Sequence, residues 1–244
     1  FESPGGGSLA SLAAPGPMRL GEAPTINALW SAVVVEELVR LGVTHFVICP
    51  GSRSTPLVVA VARHPATTFV VCNDERGAAY YAVGYGRATN GGKASAACLI
   101  VTSGTAVANL LPGIVEAHRS SVPLLVLSAD RPADLRGVDA NQTIAQPAIF
   151  QQFVAWEKDF PAPTVEYPLE ALLADIDFAV LKMGGLDQSG YGQPVHLNFQ
   201  LRENLAPEAG PVRGAPHLPS GDFVACHRQL LLSAPAITRW RTSA

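Results

Sequence analysis

Charge is scarce in this sequence. Lys and Arg number 17 against 20 Asp and Glu, so charged residues make up 15% of the 244 and the formal net charge is −3. So slight an imbalance leaves no electrostatic case for a nucleic acid or an acidic membrane surface. Long apolar runs are missing too. Gly, Pro or a charge interrupts every candidate before the roughly 18 residues that a membrane span requires. Cysteine is sparse: Cys49, Cys72, Cys98 and Cys226 show no pair spacing, and three of them fall in apolar, strand-like segments. That pattern speaks for buried reduced thiols rather than for disulfides or metal ligands. Neither a P-loop nor a G-x-G-x-x-G dinucleotide loop is present, which removes the two commonest nucleotide signatures.

What is there is apolar. Nearly half of the residues (48%) are hydrophobic and the mean hydropathy is positive, as suits strands buried on both faces. Composition shifts at both ends. Residues 1–24 begin with Phe and are rich in Gly, Ser, Ala and Pro, with the pattern of neither a secretory signal nor an Arg-rich transit peptide; a linker or disordered leader is expected. In 205–244, prolines recur at 207, 211, 216, 219 and 235, as in a Pro-rich linker or the start of a truncated central domain. Residues 25–204 form the expected folded unit.

Within that unit, apolar residues at 26, 29, 30, 33, 34, 38 and 41 have helical spacing, and Gly42 stops the helix. A strand over 44–49 and a helix over 56–64 follow. Next come a strand over 69–72, a helix over 74–88, a strand over 94–101 and a helix over 104–118. The wholly apolar stretch 123–127 is a further strand. After a long polar passage, a helix around 168–182 and a strand over 194–199 close the unit. Alternation of this kind predicts an α/β, doubly wound, mostly parallel sheet with helices on both faces. No internal repeat is visible.

In open parallel sheets, ligands bind beyond the carboxyl ends of the strands. The segments after the first four strands are G-S-R-S-T, N-D-E-R-G, T-S-G-T-A and A-D-R-P…A-N-Q. All are polar and most bear glycine, so the site is expected at that edge. Arg53 stands at a strand-to-helix crossing, after Pro50-Gly51 and beside the unpaired N–H groups of a helix start, a setting that attracts anions. Glu75 heads a helix, where it either complements the dipole or presents a carboxylate to a ligand nitrogen. Arg53, Arg131, Asn141 and Gln142 together suit a substrate that carries a carboxylate.

The wording P-G-S-R-S-T-P-L, D-E-R-G-A, T-S-G-T-A-V-A-N, S-A-D-R-P and A-N-Q, in this order, resembles the pyrimidine-binding domain of the MenD (SEPHCHC synthase) family. These are thiamine-diphosphate-dependent enzymes of menaquinone and phylloquinone biosynthesis. I-N-A-L-W near the start and P-V-H-L-N-F near the end resemble the plant and algal form, within the PHYLLO protein. The resemblance covers about residues 25–204. It implies decarboxylation of 2-oxoglutarate and addition of the succinyl unit to isochorismate. It also implies that Glu75 meets N1′ of the cofactor's aminopyrimidine, and that Thr102, Ser103, Gly104 and Thr105 line the pyrimidine pocket. Arg53, Arg131, Asn141 and Gln142 would hold isochorismate, with Ser52 beside them. A homo-oligomer is implied for the complete enzyme, in a plastid if the source is a plant or alga and in the cytoplasm if it is bacterial.

Two departures qualify the resemblance. Asp139 stands where the family usually carries Gly. The Mg²⁺-binding G-D-G…N motif that holds the diphosphate in such enzymes is also not matched: the only G-D is Gly221-Asp222, followed by Phe and by no later Asn. No metal ligand is therefore expected in this chain, and the diphosphate and Mg²⁺ are expected on a separate diphosphate-binding domain of the same or a partner chain, without which it would be inactive. Two other readings stand beside this one: another thiamine-diphosphate decarboxylase or synthase, against which A-D-R-P…A-N-Q argues, and a non-catalytic pairing or regulatory module.

Overall fold

A computed structural model describes residues 23–89, 96–184 and 192–206. The Gly/Ser-rich opening up to residue 22, the proline-rich tail from 207 onward, Cys226 and Gly221-Asp222 lie outside the described residues. The elements run α1 (Ile26–Arg40), β1 (His45–Ile48), α2 (Thr55–Arg63), β2 (Thr68–Val71), α3 (Glu75–Thr89) and β3 (Ala97–Val101). They continue with α4 (Thr105–Ala108), α5 (Leu111–Arg119), β4 (Leu124–Asp130), β5 (Trp156–Phe160), α6 (Leu169–Met183) and β6 (Pro194–Gln200). The six strands form one sheet in the order β2-β1-β3-β4-β6-β5, and every pair is parallel. The α/β, doubly wound expectation holds.

Strand periodicity explains both layers. Phe46, Ile48, Cys98, Ile100, Leu125, Leu127, Val195 and Leu197 face α1, α2 and α6. The alternate residues Val47, Leu99, Val101, Leu124 and Val126 face α3, α4, α5 and the segment that carries Phe150. Both faces of the central strands are thus dry, so these strands read as unbroken apolar runs. Cys49 and Cys98 are buried and Cys72 is half-buried; all three are free thiols.

The structure departs from the sequence expectations in two places. The helix expected over 104–118 is two helices, α4 and α5, because Pro112 sits in the first turn of α5 and cannot donate into a continuous ladder. A sixth strand, β5, lies ahead of the helix around 168–182, where the sequence pattern predicts no strand. Its sequence W-E-K-D-F carries three charges, yet it pairs with β6 along its length. An edge strand tolerates such residues because one side of the ladder stays open.

Candidate active site

The chain order reverses between the second and third strands of the sheet: from β1 it proceeds to β2 on one side and then to β3 on the other. The loops after β1 and β3 consequently diverge and leave a crevice at their carboxyl ends. Gly51 and Thr102 form its waist. A Cβ on Gly51 would lie 2.3 Å from Thr102 Cβ, so only glycine lets the two loops approach this closely.

Two clefts open from this waist and share Ser52, Thr102 and Gln142 as walls. The first, about 710 Å³, contains Glu75 with Gly51, Thr105, Ala106 and Asn109. Glu75 is half-buried at the start of α3, and Asn109 Nδ2 donates to its Oε2 at 3.1 Å. This hydrogen bond fixes one carboxylate oxygen on the cleft wall. Nearby, burial and then the Glu75 carboxylate push the Cys49 thiol up to about 12, which keeps it a neutral thiol.

The second cleft, about 770 Å³, is bounded by Arg53, Arg131, Asn141 and the segment 203–206. Both arginines are buried, at 9% and 8% exposure, so both need partners. Arg53 Nη1 donates to the Leu201 carbonyl at 2.8 Å, and its Nη2 pairs with Glu203 Oε1 at 2.9 Å. Arg131 Nη1 donates to the Ser103 hydroxyl and, at 3.4 Å, to the Gln142 carbonyl. Burial and the nearby Arg53 guanidinium hold the Arg131 pKa below its ordinary value, while Asp130 and Glu203 act in the opposite direction.

Of the residues singled out by sequence, Ser52, Arg53, Glu75, Thr102, Thr105, Arg131, Asn141 and Gln142 therefore line adjoining clefts. Ser103 does not. It is fully buried beneath them, where its hydroxyl accepts from Arg131 and its carbonyl accepts from Gln142 Nε2 at 2.9 Å. Gly104 turns the chain at φ +80°, and a Cβ there would press on Gln142. Gln142 itself has φ +56°, a left-handed backbone that costs free energy in a residue other than glycine and clusters at functional sites. Asp139 has φ +59°. This explains why a position at which the resemblance leads one to expect glycine accepts aspartate, since Asp tolerates left-handed backbone better than most residues.

Several contributors escaped the sequence reading. Gln146, fully buried, accepts from the Gly104 N–H at 2.8 Å and donates to the Ala129 carbonyl and Asn198 Oδ1 at 3.1 and 2.8 Å. Asn198 in turn donates to Asp130 and Asp159, and Arg136 clamps both carboxylates at 2.6 and 2.7 Å. Burial raises the Asp159 pKa, but hydrogen bonds from Arg136 and Asn198 outweigh it and hold the group below the ordinary carboxylate range. This network braces the turn after β3 from below. Asn109 and Glu203 were also missed. The only earlier sign of Asn109 was that it closes T-S-G-T-A-V-A-N.

The cleft fits an aminopyrimidine: a fixed carboxylate can accept from a ring N–H inside a space large enough for one heteroaromatic ring. Among the described residues no group of three or more His, Cys, Asp or Glu could hold a metal ion. Among them also, no helix is long and apolar enough to cross a membrane.

Residues 30–152 match the family model described as thiamine pyrophosphate enzyme, N-terminal TPP binding domain. The chain is 51% identical over 190 residues to the 2-succinyl-5-enolpyruvyl-6-hydroxy-3-cyclohexene-1-carboxylate synthase of Pelodictyon phaeoclathratiforme, covering 78% of this chain and 31% of the relative. Relatives of the same name from Prosthecochloris aestuarii and Rubrobacter xylanophilus are 50% and 46% identical, over 75% and 82% of this chain and 30% and 33% of their own. The chain spans about a third of the length of the curated relatives it matches. With Glu75 in a cleft at the head of α3, inside the matched segment, the chain belongs to the thiamine pyrophosphate enzymes as an N-terminal TPP-binding domain.

Proposed function

We propose that residues 25–204 are the pyrimidine-binding domain of a SEPHCHC synthase, which joins the succinyl unit of 2-oxoglutarate to isochorismate. The observation that carries this reading is the adjacency of a helix-leading carboxylate, Glu75, and two buried arginines, Arg53 and Arg131, in clefts that share three walls. One holds a ring nitrogen; the other holds a carboxylate.

When bound, thiamine diphosphate supplies the nucleophilic carbon and the electron sink for decarboxylation. Glu75 accepts a hydrogen bond from N1′ of the aminopyrimidine and so biases where the ring carries its protons, while Asn109 keeps the carboxylate turned toward the cleft. Thr102, Gly104 and Thr105 shape the wall above the braced turn, and Ser103 supports it from beneath. Arg53 and Arg131 receive the isochorismate carboxylate, with Ser52, Asn141 and Gln142 at its polar groups. Mg²⁺ and the diphosphate belong, in this proposal, to a diphosphate-binding domain of the same or a partner chain, and the complete enzyme is a homo-oligomer. The relatives named above are bacterial, which favours menaquinone as the pathway's product and leaves a plastid address unsupported.

The test is Arg53→Lys in the full-length protein that carries this chain. Lysine keeps the charge but loses the planar fork, a charge-assisted contact worth roughly 1.5–3 kcal/mol, so kcat/KM for isochorismate is expected to fall on the order of 10–100-fold. Consumption of 2-oxoglutarate alone is expected to change much less. Equal losses in both assays would overturn the substrate assignment, and a wild-type enzyme that ignores isochorismate would overturn the whole reading.

A further inference from the structure

Among the described residues that line the Arg53–Arg131 cleft, Glu203 is the only acid. Its partner Arg53 is almost wholly enclosed, whereas the Glu203 side chain is 67% exposed. The asymmetry matters. A buried guanidinium cannot be left without an anionic or hydrogen-bonding partner, but a carboxylate that is mostly in water can swing away at little cost. The other nearby carboxylate, Asp130, is fully buried and already committed to Arg136, Asn198 and the Arg131 backbone N–H. Arg131 senses the Glu203 charge as well as that of Arg53, so Glu203 offsets the repulsion between two neighbouring cations.

We propose that Glu203 is a built-in stand-in for the ligand's carboxylate: it occupies Arg53 in the unliganded protein and is displaced when a carboxylate enters the cleft. The proposal rests on the carboxylate-pocket reading of that cleft. Glu203 then sets the pocket's selectivity. Arg53 stays ordered and shielded between turnovers, and an incoming group must outcompete a carboxylate rather than water. A pair whose carboxylate is mostly in water is weak, so the competition lowers the apparent affinity only by roughly two- to fivefold.

The alternative role, in which Glu203 merely holds Arg53 in position, predicts the opposite sign, which makes the test decisive. Glu203→Gln and Glu203→Ala are made in the full-length protein. Calorimetric titration with chorismate, an unreactive carboxylate probe, is run without cofactor, and KM for isochorismate is measured with it. Both the dissociation constant and KM are expected to fall roughly two- to fivefold at low salt, with a smaller gain at high salt. KM for 2-oxoglutarate is expected to hold. Unchanged or weakened affinity would overturn the proposal.

Arg53→Lys, measured in parallel, separates the two claims. If it leaves carboxylate affinity untouched, or the wild type binds neither compound, the pocket reading fails and this proposal with it. If Arg53→Lys weakens binding while both Glu203 variants fail to strengthen it, only the stand-in role is lost. Should both variants misfold, a wild-type structure with chorismate bound decides: an opened Arg53–Glu203 pair, beyond 4 Å, is expected, and an intact pair overturns the proposal.

Discussion

Replacing Glu75 by Gln separates a helix-start acid from a cofactor-activating one, because the two roles differ in magnitude. The change is nearly isosteric. Asn109 Nδ2, now 3.1 Å from Oε2, can still donate to the amide oxygen, so the wall of the cleft should keep its shape. What goes is the charge in the first turn of α3. If that charge only complements the helix dipole, the loss is about 0.3–1 kcal/mol, or at most a few degrees of Tm for a unit of this size. If Glu75 accepts from N1′ of the bound aminopyrimidine, the amide cannot shift the ring's proton balance, and a general acid–base contribution of about 10²–10⁴-fold should vanish. The assay is deuterium exchange at C2 of thiamine diphosphate bound to the full-length protein, with thermal unfolding recorded on the same sample. The expected result is exchange slowed by two orders of magnitude or more in a variant whose Tm moves by only a few degrees. Wild-type exchange in Glu75→Gln would refute the reasoning, whatever the unfolding curve shows.

Gln146→Leu strands the Gly104 N–H, the Ala129 carbonyl and part of Asn198 in a dry interior, at about 1–3 kcal/mol for each unsatisfied group, so Tm should drop by several degrees; an unchanged Tm would mean that the network does not brace the turn. Between α1 and α6, burial and then the Asp177 carboxyl raise Glu37 from an ordinary 4.5 to about 8. A raised folded-state pKa gives stability that is complete below about 4.5 and is lost as pH rises through about 8, so Tm of the wild type should fall between about pH 4.5 and 8 and level off above, while Glu37→Gln stays flatter; parallel curves would refute the raised Glu37 pKa. Asp139→Gly relieves a left-handed backbone and removes a negative charge from the loop that carries Asn141 and Gln142, so affinity for chorismate should rise, and more at low salt than at high; a loss of affinity would mean that Asp139 holds the loop's shape.

The residues that were legible in the sequence and those that were not differ in where their partners lie. Strands β1, β3 and β4 announced themselves because both faces of each are buried by apolar neighbours, so the chain alone shows an uninterrupted apolar run. Their alternation with helices placed every following loop on one edge, and that rule alone assembled Arg53, Glu75, Thr102 and Arg131. β5 stayed hidden because two of its three charges are satisfied from afar: Asp159 by Arg136, Asn198 and Gln200, and Lys158 by Asp175. Gln146 hid for the same reason. Nothing within its own loop suggests that its side chain lies fully buried against a backbone N–H 42 residues away. Periodicity registers burial by apolar contact, and it cannot register burial that hydrogen bonds across the sheet make affordable. Glu203 is the extreme case. By composition it is one more solvated acid after the last strand, and only the enclosure of Arg53 on the facing loop gives its carboxylate something to compete for.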